Sequence, residues 1–279
     1  MTGFSRPELL ASTAWLADDL GRADLRVLDL RWRPDGSGPD HYRAGHLPGA
    51  VHLDWLAELV QREDDGVIQL AGPDLVAAAL GRAGVGNGSA VVLYDDALGL
   101  YAGRVWWSLR AYGLESVRIL DGGYPAWQRE EREIAAGPVE AEPAVFAPRA
   151  NPRLRLSTPD VLALVGSPDV LVLDARAPAE YHGFEGNARR LGHIPGALNV
   201  PLGAMSQPGS QRLRDGRQLR DLVQRSGVQR ERRLVCYDSS GVGAARLAFI
   251  LTLLGFDDVA VYDGGWAAWG NRDDLPVDR

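Results

Sequence analysis

Three short runs in the first half of the chain, RVLDL (Arg26–Leu30), VVLYD (Val91–Asp95) and VRILD (Val117–Asp121), are apolar at successive positions. Apolar side chains on both faces are what strands of a covered parallel sheet require. Between them the period lengthens to that of a helix. SRPELLASTAWLADDL (Ser5–Leu20) has a serine before a first-turn proline and then helical spacing, and STPDVLALV (Ser157–Val165) repeats that signature. AGRVWWSLRAYG and AARLAFILTLLG read as helices that stop at Gly113 and Gly255. Strands alternating with helices predict an α/β sandwich with right-handed crossovers.

The pattern occurs twice. RVLDLRW matches LVLDARA at Leu171–Ala177, and GHLPGAVHL (Gly45–Leu53) matches GHIPGALNV (Gly192–Val200). VVLYDD (Val91–Asp96) matches LVCYDS (Leu234–Ser239), and VRILDGGYPAW (Val117–Trp127) matches VAVYDGGWAAW (Val259–Trp269). The offset stays between 142 and 147 and the order never changes, so the whole unit is duplicated. Prolines at 138, 143, 148 and 152 mark an extended linker between the copies. We place the units at 1–136 and 157–279, with the linker at 137–156, and expect each unit to fold alone.

Composition narrows the chemistry. The 279 residues carry a net charge of −7, which gives no general attraction to nucleic acid or to an anionic membrane. All 30 cationic side chains are arginine, so lysine Schiff-base and P-loop chemistry are excluded. The single cysteine, Cys236, forms no internal disulfide, and no histidine pair has metal-ligand spacing with carboxylates. No metal and no cofactor are expected. The start, MTGFSRPELL, holds no apolar core of leader length, and the longest apolar run, Leu247–Leu254, is too short to span a bilayer. A cytoplasmic monomer is the expectation.

The candidate site is the corner LVCYDSSGVGAAR (Leu234–Arg246), where a strand runs through a small-residue loop into a helix. Ligands of open α/β sheets bind at such strand ends, and the amides at a helix start attract anions. Ser239, Ser240, Gly241, Val242 and Gly243 are small enough for their N–H groups to converge. GVGAAR lacks the third glycine of a dinucleotide fingerprint, and a Cys-x5-Arg phosphatase loop fails because Asp238 stands at its cysteine position. An aspartyl nucleophile at Asp238 has no second carboxylate at magnesium spacing.

GHLPGA and GHIPGA, the turns Asp29–Arg31 and Asp174–Arg176, VYDGGWAAWG and the terminal DLPV together resemble the tandem-domain rhodanese and mercaptopyruvate sulfurtransferase family, over essentially the whole chain. The resemblance implies two rhodanese-like domains, each a mainly parallel sheet flanked by helices. It implies a non-catalytic first copy and a second copy whose loop begins with a cysteine. That cysteine takes sulfur from thiosulfate or mercaptopyruvate and passes it to a thiol or cyanide. The helix end at Gly255, the Gly241-Val242 pair and the Tyr-Asp of the first copy all align Asp238 with that nucleophile. Cys236 lies two residues back, on the same face but further down the strand, and reads as a small buried hydrophobe. A displaced nucleophile at Cys236 is the weaker reading.

Further positions follow from the resemblance. Ser240 matches the family's loop serine and Asp54 its first-domain aspartate. Ile68 stands where the family usually has histidine, and Glu180 where many members have a substrate-binding arginine. Arg189 and Arg190 are candidates for binding a carboxylate or sulfonate, or form a solvated pair. His46 and His193, at equivalent places before Leu/Ile-Pro-Gly, are read as structural, as are the ion pairs Asp29–Arg31 and Asp174–Arg176. Asp238 is expected to fill the amide cradle itself, as Asp95 does in the first copy, with a depressed pKa unless burial overrides the hydrogen bonds. The two functional readings are a sulfurtransferase acting on a small sulfur-containing anion by an unconventional route, and a non-catalytic module that binds an anion or a partner.

Overall fold

The computed structural model describes residues 3–63 and 66–279. Twelve strands are numbered in chain order. The first half contains β1 (Leu10–Ala11), β2 (Leu25–Asp29), β3 (Val51–His52), β4 (Val60–Arg62), β5 (Ile68–Leu70), β6 (Ala90–Tyr94) and β7 (Val117–Leu120). The second contains β8 (Arg155–Leu156), β9 (Val170–Asp174), β10 (Leu198–Asn199), β11 (Arg233–Tyr237) and β12 (Val259–Tyr262). The two five-stranded sheets are ordered β1-β7-β6-β2-β3 and β8-β12-β11-β9-β10. Every pairing in both is parallel. Equivalent strands occupy equivalent places, so the repeat in sequence is a repeat of topology. The antiparallel β4–β5 hairpin of the first half stands outside this scheme.

The N-terminal helix starts later than its sequence signature implies. Ser5 does not cap a helix; its amide and hydroxyl bond the carbonyls of Leu253 and Leu254 in the second half, at 3.2 and 2.8 Å. Leu10 and Ala11, both buried, extend the sheet instead, and the helix runs Thr13–Asp19 with Ser12 accepting from the Trp15 amide. Sheet pairing of two buried apolar residues outweighs the high helix propensity of leucine and alanine. At Ser157 the reading holds: helix Thr158–Leu164 is capped there, with Asp160 accepting from the Ser157 amide and hydroxyl.

One core joins the halves. Helix Leu100–Ala111 of the first packs along helix Val242–Leu253 of the second, and Trp106 meets Phe249 edge to face at 5.1 Å. A Cβ at Gly103 would lie 2.7 Å from the Arg246 Cα, so this close crossing needs glycine. Burying one such side chain as large as Phe249 contributes about 2–3 kcal/mol. The proline-rich segment lies against the first half, through Ala144 to Gly81, Arg149 to Tyr112 and Asn151 to Ala111 backbone bonds, with Phe146 buried. This continuity works against the expectation that each half folds alone. Among the described residues, no helix is long and apolar enough to cross a membrane.

Candidate functional site

The strand ends β6 and β11 deliver Asp95 and Asp238 to the same corner of each half. Both aspartates fill the amide cradle that follows them. Asp238 Oδ1 accepts from the amides of Gly241 at 2.6 Å and Ser240 at 3.3 Å, and Oδ2 accepts from Gly243 at 3.0 Å. Asp95 accepts from Ala97, Gly99 and Ala102, each at 2.9 Å. Gly243 leaves room for this carboxylate, since a Cβ there would lie 2.8 Å from Oδ2. The corner is fixed from behind by the Asp-Gly-Gly turn after β12. The Trp266 and Ala267 amides bond the Asp238 and Ser239 carbonyls at 2.7 and 2.9 Å.

Burial overrides the hydrogen bonds in setting protonation. Desolvation pushes the carboxyl pKa of Asp238 above the usual range against the opposing loop amides, and it does the same to Asp95. Asp95 is enclosed, whereas Asp238 is half-buried at the floor of an open cleft, so water tempers the push there. The exception the expectation allowed for, burial overriding the hydrogen bonds, is thus the direction found.

Cys236 lies inside β11, paired with Leu173 of β9 and Val261 of β12, and is fully buried in the core. Apolar surroundings drive its thiol pKa strongly upward, which leaves almost no thiolate near neutral pH.

Among the described residues, two clefts of several hundred Å³ flank the loop, and a smaller space of about 80 Å³ borders Ser239 and Glu180. One, of about 340 Å³, is lined by Asp238, Ser239, Gly243, Glu180, Leu202 and Leu100. Glu180 Oε1 accepts from the Ser239 hydroxyl at 3.2 Å, so two carboxylates face this space. Arg176, the one cation among the described residues that line it, is buried and held by Asp174 at 2.6 Å. The other cleft, of about 390 Å³, is largely apolar and brings Ser240 and Val242 together with Trp32, Trp55, Tyr101 and Ile68 of the first half. Trp55 stacks on Tyr101 at 5.2 Å, and Trp32 meets both edge-on. Arg62 stands on its wall.

Other predicted residues lie apart. Asp54 caps the short helix Trp55–Glu58, accepting from Leu56 and Ala57 amides, and reaches the apolar cleft only through its neighbour Trp55. Arg189 pairs with Asp273 at 2.6 Å and Arg190 bonds the Leu275 carbonyl at 2.7 Å; neither lines a cleft beside the loop. They tie down the C-terminal segment instead. Asp29–Arg31 and Asp174–Arg176 are buried bidentate pairs, and each arginine also bonds a glycine carbonyl, Gly45 or Gly192. His46 and His193 stack on Tyr42 and Tyr181 within turns that bond Ala135 and Asp278. The aromatic wall was missed in the sequence. Its signals were Trp32 directly after the Asp-x-Arg turn and Tyr101 at the head of the first-half helix.

Comparison with known proteins agrees with this architecture. The family described as rhodanese-like domain matches residues 12–130 and 157–272. The 3-mercaptopyruvate sulfurtransferase of Escherichia coli K12 is 32% identical over 271 residues, covering 95% of this chain and 95% of that protein. The human 3-mercaptopyruvate sulfurtransferase is 33% identical, over 94% and 92% of the two chains. The chicken thiosulfate sulfurtransferase is 32% identical, over 94% and 93%. The crystal structure of the E. coli 3-mercaptopyruvate enzyme SseA superimposes with a TM-score of 0.82 at 29% identity, covering 92% of this chain and 98% of that one.

Proposed function

Because this chain belongs to the rhodanese-like sulfurtransferase family, we propose that it acts on small sulfur compounds by a route in which residue 238 carries no sulfur. The observation behind this reading is the Asp238 carboxylate seated in the amide cradle, with Cys236 sealed in the strand below. A carboxylate oxygen is a poor carrier of sulfane sulfur, and a buried neutral thiol is neither nucleophilic nor reachable. Transfer then runs directly between two small molecules held in the clefts. An acceptor thiolate attacks the outer sulfur of thiosulfate. The sulfur–sulfur bond breaks, its electron pair leaves with sulfite, and the acceptor becomes a persulfide. Proximity and orientation supply the catalysis. Mercaptopyruvate is the alternative donor, cyanide the alternative acceptor. The setting proposed is a cytoplasmic monomer.

A second reading has its own support. Asp238 and Glu180 face the same cleft, and Arg176, the cation among its described lining residues, is already paired with Asp174, which opposes a doubly charged donor. On that reading the clefts bind a ligand or partner without turnover. The test is sulfur transfer from thiosulfate or mercaptopyruvate to a thiol and to cyanide, by wild type and by Cys236→Ser. Direct transfer predicts equal turnover by both proteins. Loss in Cys236→Ser contradicts the route proposed, and absence of transfer in both leaves the binding reading.

A further inference from the structure

The duplicated helices place an arginine at the same point, Arg104 in the first half and Arg246 in the second, and the two are used differently. Arg104 is 1% exposed and crosses the boundary between halves. Its Nη1 donates to Asp263 Oδ1 at 2.6 Å and to the Gly241 carbonyl at 3.3 Å. Its guanidinium lies over the Trp107 ring, 4.7 Å from the centroid. Asp263 is itself held by the Leu70 amide at 2.7 Å and by Arg155 at 3.0 Å. Gly241 therefore sits between two fixed groups. Its φ is +82°, and a Cβ there would lie 3.0 Å from Arg104 Nη1 and in collision with the Asp263 carbonyl. The Gly241 amide makes the shortest of the hydrogen bonds to Asp238.

The mirror arrangement is missing. Arg246 bonds the Ser206 hydroxyl at 2.8 Å, and burial pushes its pKa down to about 10. It forms no ion pair among the described residues. Asp121, the counterpart of Asp263, is taken by the Leu213 amide and by Arg212. Arg246 and Asp121 instead line a small space of about 20 Å³ beside Gly99. A Cβ at Gly99 would have 4.0 Å to its nearest neighbours, Arg246 Nε and Ile119.

We propose that Arg104 is a positioning residue through which the first half holds the loop of the second half in its amide-converging geometry; the first-half loop is met differently, its Leu98 amide donating to the Gln211 side chain of the second half at 2.5 Å. A first copy without a reactive side chain of its own thereby has a task at the working corner. The conclusion does not depend on which sulfur chemistry the clefts perform, because it concerns the loop amides themselves.

Residue-resolved amide hydrogen exchange on the full chain tests it. Arg104→Met combined with Asp263→Asn removes both charges, so no unpaired ion is left buried. The Gly241 and Gly243 amides should then exchange at least about tenfold faster than in wild type, while those of Gly99 and Ala102 change less than about twofold. Arg104→Lys keeps a donor able to reach Asp263 but loses the guanidinium that spans Asp263 and the Gly241 carbonyl, so exchange at Gly241 should rise by a smaller factor, about threefold, with Gly99 unchanged, and this provides the measurement if the double variant fails to fold. Equal acceleration in both loops, or none at Gly241 in either variant, would overturn the proposal.

Discussion

The amide of Gly241 points at Asp238 Oδ1 from 2.6 Å, so the loop that would cradle an external anion is closed on its own side chain. Asp95 repeats the relationship at the equivalent strand end of the first half. On the proposed reading, in which residue 238 takes the position of the family's sulfur-carrying cysteine, the carboxylate stands where that sulfur would be.

The pH dependence of stability carries a definite sign. Burial raises the folded pKa of Asp238, so its proton is held more tightly folded than unfolded. The stability this contributes is fully present below the unfolded pKa and is lost as pH rises through the folded one. Asp238→Asn cannot titrate. It exchanges one accepting oxygen for an NH2 group facing the loop amides, a loss of about 1 kcal/mol that relief from burying a charge offsets near neutral pH. Denaturant unfolding should show wild type and variant close together at pH 7, with the advantage of wild type growing as pH falls toward 4. A gap that narrows on acidification would show that the loop amides, not burial, set the protonation.

The thiol of Cys236 should be silent in the folded protein. It is fully buried and its pKa is pushed strongly upward. A thiol reagent should label it readily in denaturant and only through unfolding otherwise. Cys236→Ser should cost about 1–3 kcal/mol, by burying a hydroxyl among apolar strands. Rapid native labelling would reinstate it as a displaced nucleophile.

Arg31 and Arg176 should behave as a matched pair. Each is buried, bonded to an aspartate two residues earlier, and stacked on an aromatic ring, Tyr124 at 3.9 Å or Trp266 at 4.6 Å. Replacing either by Met leaves an uncompensated buried carboxylate, at a cost of about 3–5 kcal/mol measured by chemical denaturation. A cost below about 1 kcal/mol would mean that these pairs are solvated.

Separating the halves should expose a shared core. Residues 1–140 lose the partner of helix Leu100–Ala111, and 150–279 lose the partner of helix Val242–Leu253 along with the strap from Ser5. Each piece alone should bind a hydrophobic dye and unfold without a sharp transition, and co-expression should restore a cooperative one. Two independently cooperative fragments would contradict this.

The legible parts and the hidden ones differ physically. Strands buried on both faces leave continuous apolar runs, and duplication doubles every motif, so both sheets and the homology of their corners could be read directly. Alignment to the resembled family on Gly255, Gly241-Val242 and the Tyr-Asp of the first copy put Asp238 rather than Cys236 at the nucleophile position, and β11 ends at Tyr237, one residue before Asp238. The contacts that join the halves left no such trace. Arg104 and Asp263 are 159 residues apart, and nothing periodic links them. Arg189 resembles an anion binder locally, yet Asp273, 84 residues on, takes its guanidinium. The sign of the Asp238 shift likewise depends on how deeply the loop is buried, which local sequence does not encode.

The most direct test of the account is the mass of the intact protein after incubation with thiosulfate and, separately, with mercaptopyruvate. Asp238→Cys places a thiol among three loop amides at a helix start, where its pKa falls and a persulfide is stabilised. The account predicts no sulfur adduct on wild type and the gain of one sulfur atom on Asp238→Cys. An adduct on wild type, with nothing further on Asp238→Cys, would contradict it.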